Sequence, residues 1–440
     1  MKQLLFMIPA MLVGTVGNLH HPYLGVMIYY VFAVLRPQFI WEWSLPEFSW
    51  SFYVAIATLL VTVGWFFGLF QFEDDGLEKR SNLGHYAVVV FGIWISITYF
   101  TARHQAVAYP YFIEYLKLFV MFIVARCVIT DWKQLWKIHL AVILCLCYIA
   151  YEINDIYLSQ GYLLVYKRGY GGLDNNGAAL MLAMGVPMCL YAWDGIRKWW
   201  RWGFLLAVPV IIHAVLTSYS RGAMVSLIAI IPIFLFRAQR RVQVLVMLGA
   251  ILALVPIMAG KEIQERFFTI KESELDERAN SRRTSWAIGW RMAMENPVFG
   301  LGIRNSNLYT FAYGADMEGR TIHSQWIQTA ADSGMTALVL YIGMFLAMLY
   351  GASRVRRIYR GDTSEEARSM IMMVNGCEAA LLLFCIGATF LSLATFELPY
   401  ILPLLVAQAW MLAAAGQQER QAVPSEEEVE TEQNYSEATA

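Results

Sequence analysis

The chain has 440 residues, 58% of them hydrophobic and 15% aromatic, with charged residues held to 15% and a formal net charge of −1. A soluble domain carries about 25% charged residues, so this composition excludes an ordinary soluble enzyme and indicates a polytopic membrane protein. It also lacks the basic excess that a nucleic-acid partner would call for.

Apolar runs of membrane length fall near 3–17, 22–35, 51–70, 85–101, 107–128, 134–150, 177–193, 203–217, 222–236, 242–258, 334–352, 371–392 and 399–415. The expected fold is an all-α polytopic membrane protein. It should have 12 transmembrane helices, or 13 if both short initial runs cross, and one large periplasmic helical loop. The first 17 residues have no small-residue cleavage pattern after them and read as a retained membrane segment. The six cysteines all sit in apolar runs and read as packing groups.

The expected organisation is an N-terminal transmembrane bundle over 1–258, a periplasmic helical loop over 259–333, transmembrane helices over 334–415 and a tail over 416–440. The tail holds seven glutamates and one arginine, leaving 32 basic against 27 acidic residues elsewhere. It lacks apolar periodicity and is expected to be disordered and cytoplasmic.

Three basic clusters set the sides by the positive-inside rule: Arg197, Lys198 and Arg201; Arg237, Arg240 and Arg241; Arg354, Arg356, Arg357 and Arg360. With these inside, the junction at Arg221, the loop 151–176, the segment 259–333 and the turn 393–398 all fall on the outer face. Counting back leaves residue 1 outside if every run crosses, which Lys2 disfavours.

Within SYSRGAMVSL (218–227), Arg221 stands between two apolar runs, where burial near lipid costs roughly 2.5–3.5 kcal/mol. In 280–305 a helix is expected, capped by Ser281 or Thr284 and ended by Asn296–Pro297, with Arg283, Ala287, Trp290 and Met294 on one stripe. That stripe suits a site or, more plainly, a helix anchored at the interface by Trp286 and Trp290.

His323 is expected in the first turn of the next helix, where the macrodipole favours a neutral imidazole able to accept a proton. A capping or interfacial histidine is the bland alternative. In KRGYGGLDNNGAAL (167–180) the glycines permit a tight turn, and Asp174, Asn175 and Asn176 can cap the following span or bond outward. Glu397 is a further acid on this face, suited to pairing with an arginine.

There is no GxxxxGK[ST] loop, no placed GxGxxG, no HExxH and no CxxC, so no nucleotide, metal or other cofactor is expected. What remains is a set of bidentate cations suited to phosphate or pyrophosphate around a potential base.

SYSRGA (218–223), R-x-x-W followed by NPVFGLG (283–302), HSQWIQTAADSGMTALVLY (323–341) and GLDNNGAALML (172–182) together resemble the bacterial O-antigen ligase and O-antigen polymerase superfamily, over about residues 150–400. ERFFTI (265–270) and SWAIGWRMA (285–293) are most similar to O-glycosylation ligases associated with exosortase systems.

The resemblance implies a multi-pass inner-membrane glycosyltransferase working at the periplasmic face. The donor would be an oligosaccharide on undecaprenyl pyrophosphate, the acceptor a hydroxyl on lipid A–core, protein or glycan. Arg221, Arg283 and His323 would be catalytic. Arg266, Arg291 and Arg304 rank next, and Arg282 is interchangeable with its neighbour. Arg168 and Glu397 complete the substrate-facing set with Asp174, Asn175 and Asn176.

Ligase is favoured over polymerase. A flippase would predict broken helices in paired positions and an internal repeat, and none is visible. A membrane acyltransferase would use His213, which otherwise reads as a packing histidine bonded to a backbone carbonyl.

Overall fold

A computed structural model describes residues 2–42, 44–45, 48–69, 79–237, 249, 272–393 and 396–422. The described chain is helical, with no strand and one isolated bridge between Tyr170 and Leu173. The helices are α1 (Lys2–Thr15), α2 (Pro22–Leu35), α3 (Trp50–Phe66), α4 (Leu83–Phe100), α5 (Gln105–Val128), α6 (Trp132–Gln160), α7 (Leu164–Arg168), α8 (Asn175–Gly195), α9 (Arg201–Thr217), α10 (Arg221–Arg237), α11 (Glu272–Glu295), α12 (Gln325–Ile358), α13 (Glu365–Ala388) and α14 (Leu398–Ala422).

Seven of the described helices are long and apolar enough to cross a membrane, and four shorter apolar helices accompany them. The run 242–258 and Arg266 lie outside the described residues. The first two runs form separate helices of 14 residues each, about 21 Å long at 1.5 Å per residue. The stretch 151–176 is less loop than expected, since α6 continues to Gln160 and α7 follows. Helix α14 extends to Ala422, so helical order takes in the first residues of the expected tail.

Small residues set the packing at the centre, where helices without water between them gain from close backbone approach. Helices α8 and α13 run antiparallel. Gly376 lies 3.4 Å, measured from its missing Cβ, from the Cα of Met188. A Cβ on Gly387 would meet Leu180, and one on Gly195 would meet Met372 at 3.1 Å. Almost every residue of α8 from Gly177 to Leu190 is buried. Large apolar side chains such as Leu60, Phe66 and Leu206 are exposed and face outward, where lipid would cover them.

The bundle has two unlike ends. At one, the Arg368 side chain donates to the Asp194 carbonyl (3.0 Å from Nε), and Arg420 reaches Asp362 (3.2 Å). At the other lie the starts of α8, α10, α12 and α14, together with α11. A second, smaller core supports this end: Ile288, Met292, Leu301, Ala315, Ile322 and Ala331, with Trp286, Tyr309 and Ile327 packed against it.

Helix α11 stops at Glu295, before Asn296–Pro297 as the sequence predicts, but its start differs. Ser281 and Thr284 lie inside the helix and not at its cap; the Thr284 hydroxyl bonds back to the Asn280 carbonyl (2.9 Å). The stripe Arg283, Ala287, Trp290 and Met294 is indeed one face, and it is the exposed face. Ser285, Ile288, Gly289, Met292 and Ala293 are buried instead.

Helix α12 is broken at Gly334 (φ 87°, ψ 165°) into a short outer piece and a long apolar one. The break leaves backbone groups without helical partners, and the NPVFGLG segment supplies them. Leu301 N–H donates to the Ala331 carbonyl (3.0 Å), Gly302 N–H to that of Asp332 (2.8 Å), and Met335 N–H to that of Pro297 (2.7 Å). A Cβ on Gly334 would strike the Val298 carbonyl, and one on Gly300 would sit 2.5 Å from that of Asp332. The two glycine motifs are thus the two sides of one joint.

Candidate functional site

The Ser218–Gly222 turn is built from its own side chains. Ser218 Oγ accepts from Ser220 N–H (3.1 Å), Ser220 Oγ accepts from Ala223 N–H (3.4 Å), and Tyr219 takes a left-handed backbone (φ 55°). Ser220 thereby caps α10, and Arg221 becomes its first residue. A cation there opposes the helix macrodipole, so it contributes nothing to helix stability. Its charge and the positive end of the helix dipole instead both favour an anion there. No described atom lies within 4 Å of where a Cβ on Gly222 would stand.

The turn is tied to the start of α8. Asn175 donates its amide to the Ser218 carbonyl (3.1 Å), Asn176 bonds Asn175 (3.1 Å), and the Tyr166 and Tyr219 rings meet edge to face at 4.9 Å. Asp174 caps α8, its carboxylate accepting from Gly177 N–H (2.7 Å).

His323 precedes α12 and does not lie in its first turn. It holds a left-handed backbone (φ 56°), is half-buried, and its carbonyl accepts from Trp286 Nε1 (3.2 Å). Burial pushes its imidazole below the usual value of 6.5. The Arg282 and Arg320 guanidiniums lower it further, and the Asp174 carboxylate opposes them. The ring is therefore neutral at neutral pH. Trp286, read as an interfacial anchor, is instead packed beside His323 and Phe390, with ring centroids 6.1 Å apart in the latter pair. Trp290 is exposed.

One end of the bundle gathers the starts of α8, α10 and α12: Asp174 and Arg282 act electrostatically on His323, and Asn175 ties the start of α8 to the turn that carries Arg221. Arg283 is exposed on the outward stripe of that helix, one position from Arg282. The remaining candidates are engaged elsewhere. Arg291 bonds the Tyr313 carbonyl (2.6 Å), and Arg304 sits over the Tyr111 ring (5.2 Å). Arg168 pairs with Glu42, and Glu397 pairs with Arg36 (2.7 Å). His213 is bonded to the Asn154 side chain.

Three charged groups at this end escape the sequence reading. Arg320 is held by Asp316 and Ser281, and Arg36 by Glu397 and the Gly171 carbonyl. Asp332 is buried and accepts from Ser306 N–H (3.1 Å) and from Gln328 (2.9 Å). Only Arg36 left a trace in the sequence: an arginine before proline, closing an apolar run.

No curated protein matches the chain. Residues 210–342 match a protein family described as O-antigen ligase, a span that takes in the Ser218–Gly222 turn, α11 and His323. This match, over 133 of the 440 residues, supports the O-antigen ligase and O-antigen polymerase superfamily.

Proposed function

We propose that the protein is an inverting glycosyltransferase of the O-antigen ligase type. It would sit in the bacterial inner membrane as 12 or 13 spans and move an oligosaccharide from undecaprenyl pyrophosphate to an acceptor hydroxyl at the periplasmic face. The single observation that supports this reading is the start of α8, where Asn175 holds the turn that carries Arg221 and Asp174 acts on the half-buried imidazole of His323.

Arg221 binds the pyrophosphate of a lipid whose tail stays in the bilayer, at the helix terminus where an anion is favoured. Arg283 or its neighbour Arg282 completes the clamp. His323 takes the proton of the acceptor hydroxyl as the oxygen bonds to the anomeric carbon. The bond from that carbon to the pyrophosphate oxygen breaks, and undecaprenyl pyrophosphate departs with the electron pair, its charge held by the guanidiniums. The cations do the work a divalent metal does elsewhere, so the reaction is expected to proceed in chelator.

Ligase is the preferred reading, and its closest group is the exosortase-associated O-glycosylation ligases. Purified protein given a lipid-linked oligosaccharide and, in separate reactions, lipid A–core, a protein acceptor or a second lipid-linked glycan should extend one of the first two. Extension of the glycan alone makes it a polymerase. Movement of the donor across vesicles with no new glycosidic bond overturns the enzyme reading.

A further inference from the structure

Arg36 lies in the N-terminal third, far in sequence from every motif above, yet it touches two of them. Its Nη1 donates to the Gly171 carbonyl, and its Nη2 pairs with Glu397 Oε2 at 2.7 Å, the two side chains being 19% and 12% exposed. The arginine holds a left-handed backbone (φ 45°) just after α2, a conformation that a residue with a Cβ rarely adopts. Gly171 (φ 61°) is where the two chains approach most closely, since a Cβ there would sit 2.8 Å from Arg36 Cδ. Tyr170 reinforces the contact, its hydroxyl donating to the Leu35 carbonyl. Glu397 in turn ends the segment whose Leu393 N–H donates to Gln325 Oε1 (2.6 Å), and Leu393 fills the space beside Gly177.

We propose that Arg36 is a positioning residue for the transfer site: one guanidinium holds the Gly169–Leu173 turn and the Glu397 turn in register, and so keeps Asp174 at the start of α8 facing His323 ahead of α12. The proposal rests on the transferase reading for its consequence, though not for its geometry. The guanidinium reaches the carbonyl and the carboxylate from two separate nitrogens fixed in one plane, whereas the three donors of an ammonium radiate from a single atom and cannot keep that spacing. The N-terminal helices are thereby part of the site's construction and more than a membrane anchor.

The test uses the Arg36→Gln/Glu397→Gln double variant, which leaves no unpaired buried charge, with Arg36→Lys as a second variant should the first not fold. His323 reactivity towards diethyl pyrocarbonate, read peptide by peptide against pH, reports the imidazole without any need for activity. Asp174, Arg282 and Arg320 are the charged groups acting on it.

With the latch released and Asp174 withdrawn, the reactivity midpoint should fall, and the transfer rate should drop at least tenfold with donor KM little changed. An unchanged midpoint in a folded variant overturns the proposal, whatever happens to the rate. A lowered midpoint in a protein that transfers no glycan even as wild type supports the latch and sinks the transferase reading.

Discussion

At the scale of single residues, the proposed function turns on charge placed where stability would not put it. Arg221 opens a helix whose dipole disfavours it, and His323 is kept neutral by burial and by two guanidiniums. A base of this kind works in its deprotonated form, so activity is present above its pKa and lost as pH falls through it. Among the described residues, the Asp174 carboxylate raises that pKa. Asp174→Asn keeps an N-cap for α8, because asparagine caps as well as aspartate, and removes only the charge. The acidic limb of kcat/KM should move to lower pH in this variant. A limb that stays in place or moves upward would detach His323 from the reaction.

At the scale of elements, the broken helix α12 and the glycine-rich segment after α11 form one joint that sets where His323 stands. Gly334→Ala forces a Cβ onto the Val298 carbonyl in a left-handed backbone, whose conformational cost alone is on the order of 1–3 kcal/mol. Its thermal midpoint in detergent should fall and transfer should drop at least tenfold. Unaltered values for both would mean that the joint is not needed.

The same elements show how much the sequence discloses. Helices were legible because lipid-length apolar runs admit few other structures, and the stop at Asn296–Pro297 followed from proline chemistry. The break at Gly334 was hidden because the apolar pattern continues after it and its partners are the backbone groups of another segment. The outward stripe of α11 could be drawn from its period, but which face the bundle would bury depended on Ile322 and Leu301, distant in sequence.

At the scale of the whole molecule, the candidate site is a convergence, and convergence is what a linear reading recovers least. Arg221, Asp174 and His323 were each visible from their local chemistry. Arg36 showed only as an arginine before proline, and its role was hidden because its partners lie 135 and 361 residues away. The bundle gathers the beginnings of three helices at one end and ties them through Asn175, Leu393 and Arg36. In the proposed reading the arrangement serves as an anion site beside a base, with no step assigned to a metal.

Transfer of glycan from a purified lipid-linked donor to its acceptor, in buffer containing EDTA, tests this most directly. The wild-type protein should be active, while folded Arg221→Ala, Arg282→Ala/Arg283→Ala and His323→Ala proteins should fall by about 100-fold or more, as expected for loss of a general base or a charge-stabilising group. A full rate in any of the three, or loss of wild-type activity in chelator, would contradict it.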